Sequence, residues 1–298
     1  MNIGLIDVDS HNFPNLALMK ISAWHKKRGD TVEWAFPLAK YDIVYQSKVF
    51  DDTYSPDIEW IPQAEKIVKG GTGYGLDNKR PDEIEHIYPD YSLYPNLTDN
   101  TAYGYLTRGC PRHCDFCIVS DKEGLRSIRV ADLSEFWNGQ KNIVLLDPNM
   151  FACKEWKDLS QQLIDSNAWV DFSQGCDIRI MTDEKAEYLK QMKIKQIHFA
   201  WDRYEDKDII VPKFKKFAEL TGWKYQKMTV YCLCNFNTTF EQDLERIYTL
   251  RDLGYSPYVM LYEKDKIPVG HKLRKLQRYV NSRSIFRSCN SFEDYGRQ

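Results

Sequence analysis

Tyr103-Gly104-Tyr105-Leu106-Thr107-Arg108-Gly109-Cys110-Pro111-Arg112-His113-Cys114-Asp115-Phe116-Cys117 runs from a short apolar segment into three cysteines within eight residues. Residues 103–107 have the character of a strand that ends where the cysteine loop begins. Spacing the cysteines by three and then two residues brings three thiolates to one short loop. Thiolates are the soft ligands that iron–sulfur clusters take, and three of them leave one iron of a four-iron cubane open to a small molecule. Two plainer readings compete. Structural zinc takes four ligands, commonly from paired C-x2-C knuckles, and here the extra candidate, His113, lies inside the loop between two cysteines. Three ordinary buried thiols are the other reading.

Downstream, the chain alternates strand and helix, and each strand closes on polar residues. Asn142–Leu146 ends in Asp147-Pro148-Asn149, and 169–173 ends in Gln174-Gly175-Cys176-Asp177. Residues 196–200 end in Trp201-Asp202, and 228–233 end in Cys234-Asn235. Helices are expected over 156–166, from an N-cap at Thr182, over 213–221 and over 240–253, with a sixth strand at 258–262. Six strands mostly followed by helices predict an α/β fold whose parallel sheet curls into a partial (βα)6, TIM-like barrel. In such barrels the chemistry sits where the strands end.

Upstream, 3–8 reads as a strand and 15–27 as an amphipathic helix stopped by Gly29, with short strands at 31–36, 41–46 and 66–68. The pattern predicts a small open α/β, Rossmann-like domain over 1–100, in which the proline-rich 77–100 is a linker. The barrel then covers 101–263. Residues 264–298 form a basic helical extension, with Leu273, Leu276, Tyr279 and Val280 as an apolar stripe expected to cover the open side of the barrel.

The spacing C-x3-C-x2-C, with Phe116 just before the third cysteine, resembles the signature of the radical S-adenosylmethionine superfamily. The resemblance covers the chain from Tyr103 to about Tyr262. In that family a [4Fe-4S] cluster binds the methionyl amine and carboxylate of S-adenosylmethionine at its open iron. One electron, from a donor such as flavodoxin or ferredoxin, cleaves the sulfonium to methionine and a 5′-deoxyadenosyl radical, which takes hydrogen from substrate. Carried over by position, Cys110, Cys114 and Cys117 ligate an oxygen-sensitive cluster and Phe116 packs near the adenine. Where many members have a Gly-Gly-Glu-like segment, this chain has Asp147-Pro148-Asn149, similar to the Asp-containing variant of members with a cobalamin-binding-type domain. Asp147 and Asn149 are then acceptors for the methionyl ammonium or, equally, helix caps. Arg179 offers a fork to the carboxylate, with Gln174 or Asp177 bonding the ribose or ordering that arginine. Asp202 and Asn235 complete the expected cradle.

The first segment resembles a shortened cobalamin-binding domain. Asp9-Ser10-His11-Asn12-Phe13-Pro14 is similar to D-x-H-x-x-G, with Pro14 in place of the glycine. A turn histidine is the plainer reading, so cobalamin is a secondary candidate cofactor. Methyl transfer is favoured only if cobalamin binds. Gly70-Gly71-Thr72-Gly73 suits either a phosphate or corrin tail or a tight turn.

Composition narrows the classes. The chain has 298 residues, 43% of them hydrophobic, enough for a substantial core. A net charge of −2 gives no overall pull toward nucleic acid or anionic membranes, and a nucleic-acid contact through the basic C-terminal helix is less favoured than a solvated face. No apolar run reaches membrane-spanning length, and the start of the chain lacks the pattern of a signal peptide, so a cytoplasmic protein is expected. Of the eight cysteines, the clustered three point to metal chemistry in a reducing compartment rather than to disulfides. Cys153, Cys176, Cys232 and Cys234 are candidates for a second cluster, with buried apolar thiols as the preferred reading. The rival functional class is a non-catalytic protein holding zinc or an electron-transfer cluster.

Overall fold

A computed structural model describes residues 1–10 and 12–296, so the expectation placed on His11 lies outside the described residues. The first sheet is built from β1 (Asn2–Asp7), β2 (Thr31–Trp34), β3 (Lys40–Ser47) and β4 (Gln63–Gly70), all parallel, in the order β2-β1-β3-β4. Between β1 and β2 lies α1 (Leu16–Lys27), opened by Asn15, whose side chain accepts from the Leu18 amide. Its Leu18 and Ile21 pack on Ile3 and Leu5. Asp9 spends its carboxylate on the Val49 and Phe50 amides. Gly71 and Gly73 serve a close approach. A Cβ on Gly71 would lie 2.2 Å from the Lys48 carbonyl oxygen, and one on Gly73 2.1 Å from that of Phe50.

The stretch read as a linker is packed. It holds α2 (Asp82–Glu85) and α3 (Pro95–Thr98). Ile84 and Tyr94 are buried, and Asp90 accepts from Ser22 and Lys26 of α1 at 2.6 Å each. Prolines marked the turns correctly, but the aromatic and aliphatic residues between them find apolar partners.

The second sheet follows from β5 (Thr101–Gly104). A two-residue β6 (Thr107–Arg108) pairs antiparallel with β7 (Ile128–Arg129), and α4 (Val119–Glu123) lies between them. Strand and helix then alternate: β8 (Asn142–Leu145), α5 (Trp156–Ser166), β9 (Trp169–Cys176), α6 (Asp183–Gln191), β10 (Lys193–Ala200), α7 (Lys207–Thr221), β11 (Met228–Cys234), α8 (Phe240–Asp252) and β12 (Ser256–Leu261). Three helices close the described chain: α9 (Lys272–Asn281), α10 (Arg283–Ser288) and α11 (Phe292–Gly296). The six-stranded sheet is parallel, with order β12-β11-β10-β9-β8-β5. Neighbours in space are neighbours in sequence, without reversal. Right-handed crossovers of that kind lay the connecting helices on one face. Val170, Phe172, Ile197, Phe199, Val230 and Val259 point into the core they share with these helices. The alternate positions, Asp171, His198, Tyr231 and Tyr258, therefore lie on the face without helices.

Two expectations shift. The strand expected over 103–107 breaks at Gly104, because the Leu106 and Thr107 amides bond the Asp147 side chain instead of a neighbouring strand. The helix expected from 213 begins at Lys207 and absorbs Pro212 inside its early turns. The predicted C-terminal stripe is buried in the core of the second sheet. Asn281 and Gln277 of α9 bond the backbone of Val259, which blunts the outer edge of β12. Arg274, Arg283 and Arg287 are also engaged internally, on the Ile267 carbonyl, the Thr229 hydroxyl and the Tyr255 carbonyl. No helix among the described residues is long and apolar enough to cross a membrane.

Arg246 of α8 ties the strand ends together. Its fully buried guanidinium donates to the Trp201, Asp202 and Leu233 carbonyls and pairs with buried Asp243 at 2.5 Å. Arg246→Met leaves a buried carboxylate without its cation and three carbonyls without a donor. A loss of about 3–5 kcal/mol is expected, read as a fall in the urea midpoint.

Candidate functional site

Two carboxylates shape the cysteine loop. Asp147, just past β8, is buried and accepts from the Leu106 amide at 3.1 Å, the Thr107 amide at 2.5 Å and the Thr107 hydroxyl at 2.6 Å. It therefore holds the backbone that leads into the loop, and this use competes with the ammonium-binding role expected of it. Glu123, at the end of α4, accepts from Arg108 at 2.7 Å and from the Gly109 amide at 3.0 Å. Gly109 has φ +83°, and a Cβ there would lie 2.2 Å from the Arg126 carbonyl oxygen, so glycine is required. The Cys110 amide bonds the Gly124 carbonyl and the Cys117 amide bonds that of Cys114.

These bonds close the loop, and its thiols share one neighbourhood. Burial pushes the Cys114 and Cys117 thiols up. Cys117 and Asp202 act on Cys114 in the same direction, and Cys110 and Asp202 do so on Cys117. Asn149 turns its amide nitrogen toward Cys110 Sγ at 3.6 Å, while its buried Oδ1 has no hydrogen-bond partner. Such an orphaned acceptor marks a place where a donor is missing. Among the described residues no group of three or more His, Cys, Asp or Glu side chains is set to hold one metal ion. A cubane makes a different demand, since each thiolate binds its own iron and the three ring the cluster rather than converge.

Phe116 packs edge-on against Phe236 at 5.2 Å, and Phe236 against Tyr262 at 4.8 Å. These two partners follow β11 and β12, so the loop meets the C-terminal ends of the sheet. Asp177 links both sides: one oxygen accepts from Arg112 of the loop at 2.6 Å, the other from Arg179 at 2.7 Å. Arg179 also pairs with Asp206 at 2.7 Å, which leaves its remaining nitrogen as the free part of the fork. Asp202 is half-buried, accepts from the Leu233 amide at 3.1 Å, and is pushed up by desolvation. Asn235 donates to the Tyr262 carbonyl at 3.2 Å and Gln174 is exposed, so neither is gathered at the loop by a hydrogen bond.

Arg112, Glu123 and Phe236 were missed in the sequence. A basic residue in a cysteine loop and an acidic residue ending a short helix are common, and only the fold shows whom they meet. The remaining cysteines are dispersed. Cys153 bonds Glu155, Cys176 is buried at the end of β9, and Cys232 and Cys234 lie on the helix side of β11 near Arg246. Burial pushes the Cys232 thiol up to about 12.

No family model and no curated protein matches the chain. Among solved structures, Streptococcus suis SuiB bound to the precursor peptide SuiA aligns at 13% identity and a TM-score of 0.43, covering 75% of this chain and 60% of that one. Another structure of Streptococcus suis SuiB aligns at 13% identity and a TM-score of 0.42, covering 73% and 56%. The chain thus spans well under two thirds of those proteins, and likeness at this level decides neither family nor activity.

Burial pushes the Asp147 carboxyl up to about 6, against the three hydrogen bonds that favour its charge. A folded-state value above the unfolded one means that the native state holds the proton longer. Stability from this group is therefore present below about pH 4 and lost as pH rises to about 6, a change on the order of 3 kcal/mol. Asp147→Asn should flatten the slope of unfolding free energy between pH 4 and 6 relative to wild type, measured by urea titration.

Proposed function

We propose that the protein is a radical S-adenosylmethionine enzyme built on a partial (βα)6 barrel. Six parallel strands in sequence order, with helices on one face, support a sheet that curls toward closure. Among the described residues no strand pairs with the outer edges of β5 and β12, which keeps it partial. The observation that carries the reading is the orphaned Asn149 oxygen beside Cys110, in a loop whose three thiols share one neighbourhood at the strand ends.

In this reading Cys110, Cys114 and Cys117 hold a [4Fe-4S] cluster. When bound, the cluster and S-adenosylmethionine supply one-electron cleavage of the sulfonium to a 5′-deoxyadenosyl radical. The chain's own part is to bind and orient. Asn149 Oδ1 accepts from the methionyl ammonium. The free nitrogen of Arg179 faces the methionyl carboxylate, with Asp177 setting the planes of Arg179 and Arg112. Phe116 and Phe236 flank the adenine, and Asp202 takes a ribose hydroxyl. Asp147 and Glu123 are positioning residues. A flavodoxin- or ferredoxin-like donor reduces the cluster, and the substrate enters along the helix-free face.

Anaerobically reconstituted protein given dithionite and S-adenosylmethionine is expected to release 5′-deoxyadenosine and methionine. Cys114→Ala should abolish both. Asn149→Ala should keep about four iron per chain yet weaken S-adenosylmethionine binding ~10-fold or more, because a charge-assisted hydrogen bond is lost. A brown, cluster-loaded preparation that makes neither product would return the protein to the non-catalytic class, holding zinc or an electron-transfer cluster.

A further inference from the structure

We propose that the helix-free face of the six-stranded sheet binds the ammonium end of an elongated substrate through Asp171 and His198. The inference rests on the enzyme reading for its purpose but on separate residues for its evidence. Asp171 Oδ1 is enclosed and has no hydrogen-bond partner. An unpaired acceptor in an enclosed place costs about 1–3 kcal/mol, so it marks an absent donor. His198 lies across from it, its Nδ1 3.7 Å from that oxygen. That nitrogen donates instead to the Phe172 carbonyl at 2.9 Å, which fixes the neutral tautomer and leaves Nε2 as an acceptor.

The surroundings favour a cation. The His198 ring stacks on Tyr231 at 5.1 Å with an interplanar angle of 8°, and Tyr258 meets Tyr231 edge-on at 5.8 Å. Tyr231 is locked by its hydroxyl, which donates to the Ser173 carbonyl at 3.0 Å. Aromatic faces beside a carboxylate attract an ammonium, whose three donors can serve both acceptors at once. The nearby cations do not fill the place. Arg283 is engaged with Thr229 Oγ1, and Lys195 acts on Asp171 only through its charge. Burial pushes the Asp171 carboxyl up and the His198 imidazole down, each toward its neutral form.

The position sets a length. Asp171 lies opposite Gln196, and Cys176 at the end of β9 lies opposite Phe199, so a bulge sets five residues of β9 against three of β10. At about 3.3 Å per residue of β10, Asp171 sits ~10 Å below the rim where the cysteine loop lies. The fitting substrate is therefore a chain with an amine at one end and its reacting C–H about that far away. A free diamine and the lysyl side chain of a peptide share this chemistry.

The reconstituted full chain is titrated calorimetrically with n-octylamine and with n-octanol. The amine should bind ~10-fold or more tightly than the alcohol, and Asp171→Asn should remove the preference. His198→Gln should weaken amine binding, and it carries the test if the Asp171 variant fails to fold. Competition by 1,8-diaminooctane or by an N-acetylated lysine tripeptide tells which source fits better. Equal binding of amine and alcohol, or an amine preference that survives both substitutions, overturns the inference. Wild-type cleavage of S-adenosylmethionine is measured separately. Amine selectivity without cleavage leaves this site standing and removes the enzyme reading, while cleavage without selectivity does the opposite.

Discussion

A single carboxylate, that of Asp147, accepts from the two consecutive amides and the hydroxyl that lead from β5 toward the cysteine loop. It sits on the segment after β8, so the end of one strand sets the path of the chain leaving the other. Burying a charge to do this is costly, and the three donors offset only part of that cost. The break after β5, the short β6–β7 pair and the location of the loop at the strand ends all depend on that contact. Without it the 105–108 backbone would be free to continue the sheet, and the cysteines would emerge elsewhere.

From that anchor the site is assembled by ion pairs that reach across the rim. Asp177 holds one arginine from the loop and one from its own turn. Glu123 fixes the loop from the opposite side. The small sheet is joined to the same region, since Lys122 donates to Thr72 and Tyr54 bonds Asp265 after β12 at 2.6 Å. The parts that would touch a cofactor are thus held by parts that would not, as precise placement requires.

Much of this was legible in the residues. The strand-then-helix rhythm after residue 142 and the cap at Thr182 announced the repeating units. The cysteine spacing stood out because it is a local pattern. What stayed hidden was partnership at a distance. Asp147 looked like a ligand-binding residue because nothing in its neighbours reveals amides 40 residues upstream. Asp171 and His198 carry no local signal of their own within their strands. Only the order of the strands shows that their side of the sheet carries no helix.

The clamp made by Glu123 separates the path of this loop from the chemistry of its thiols. In zinc fingers the metal supplies the energy that folds the chain, so binding and folding are one event. Here Glu123, Arg108 and a glycine at positive φ set the course of the segment around Cys110, and no thiol takes part in those contacts. Exchanging a thiol therefore removes a reactive atom and leaves the contacts that shape the loop untouched.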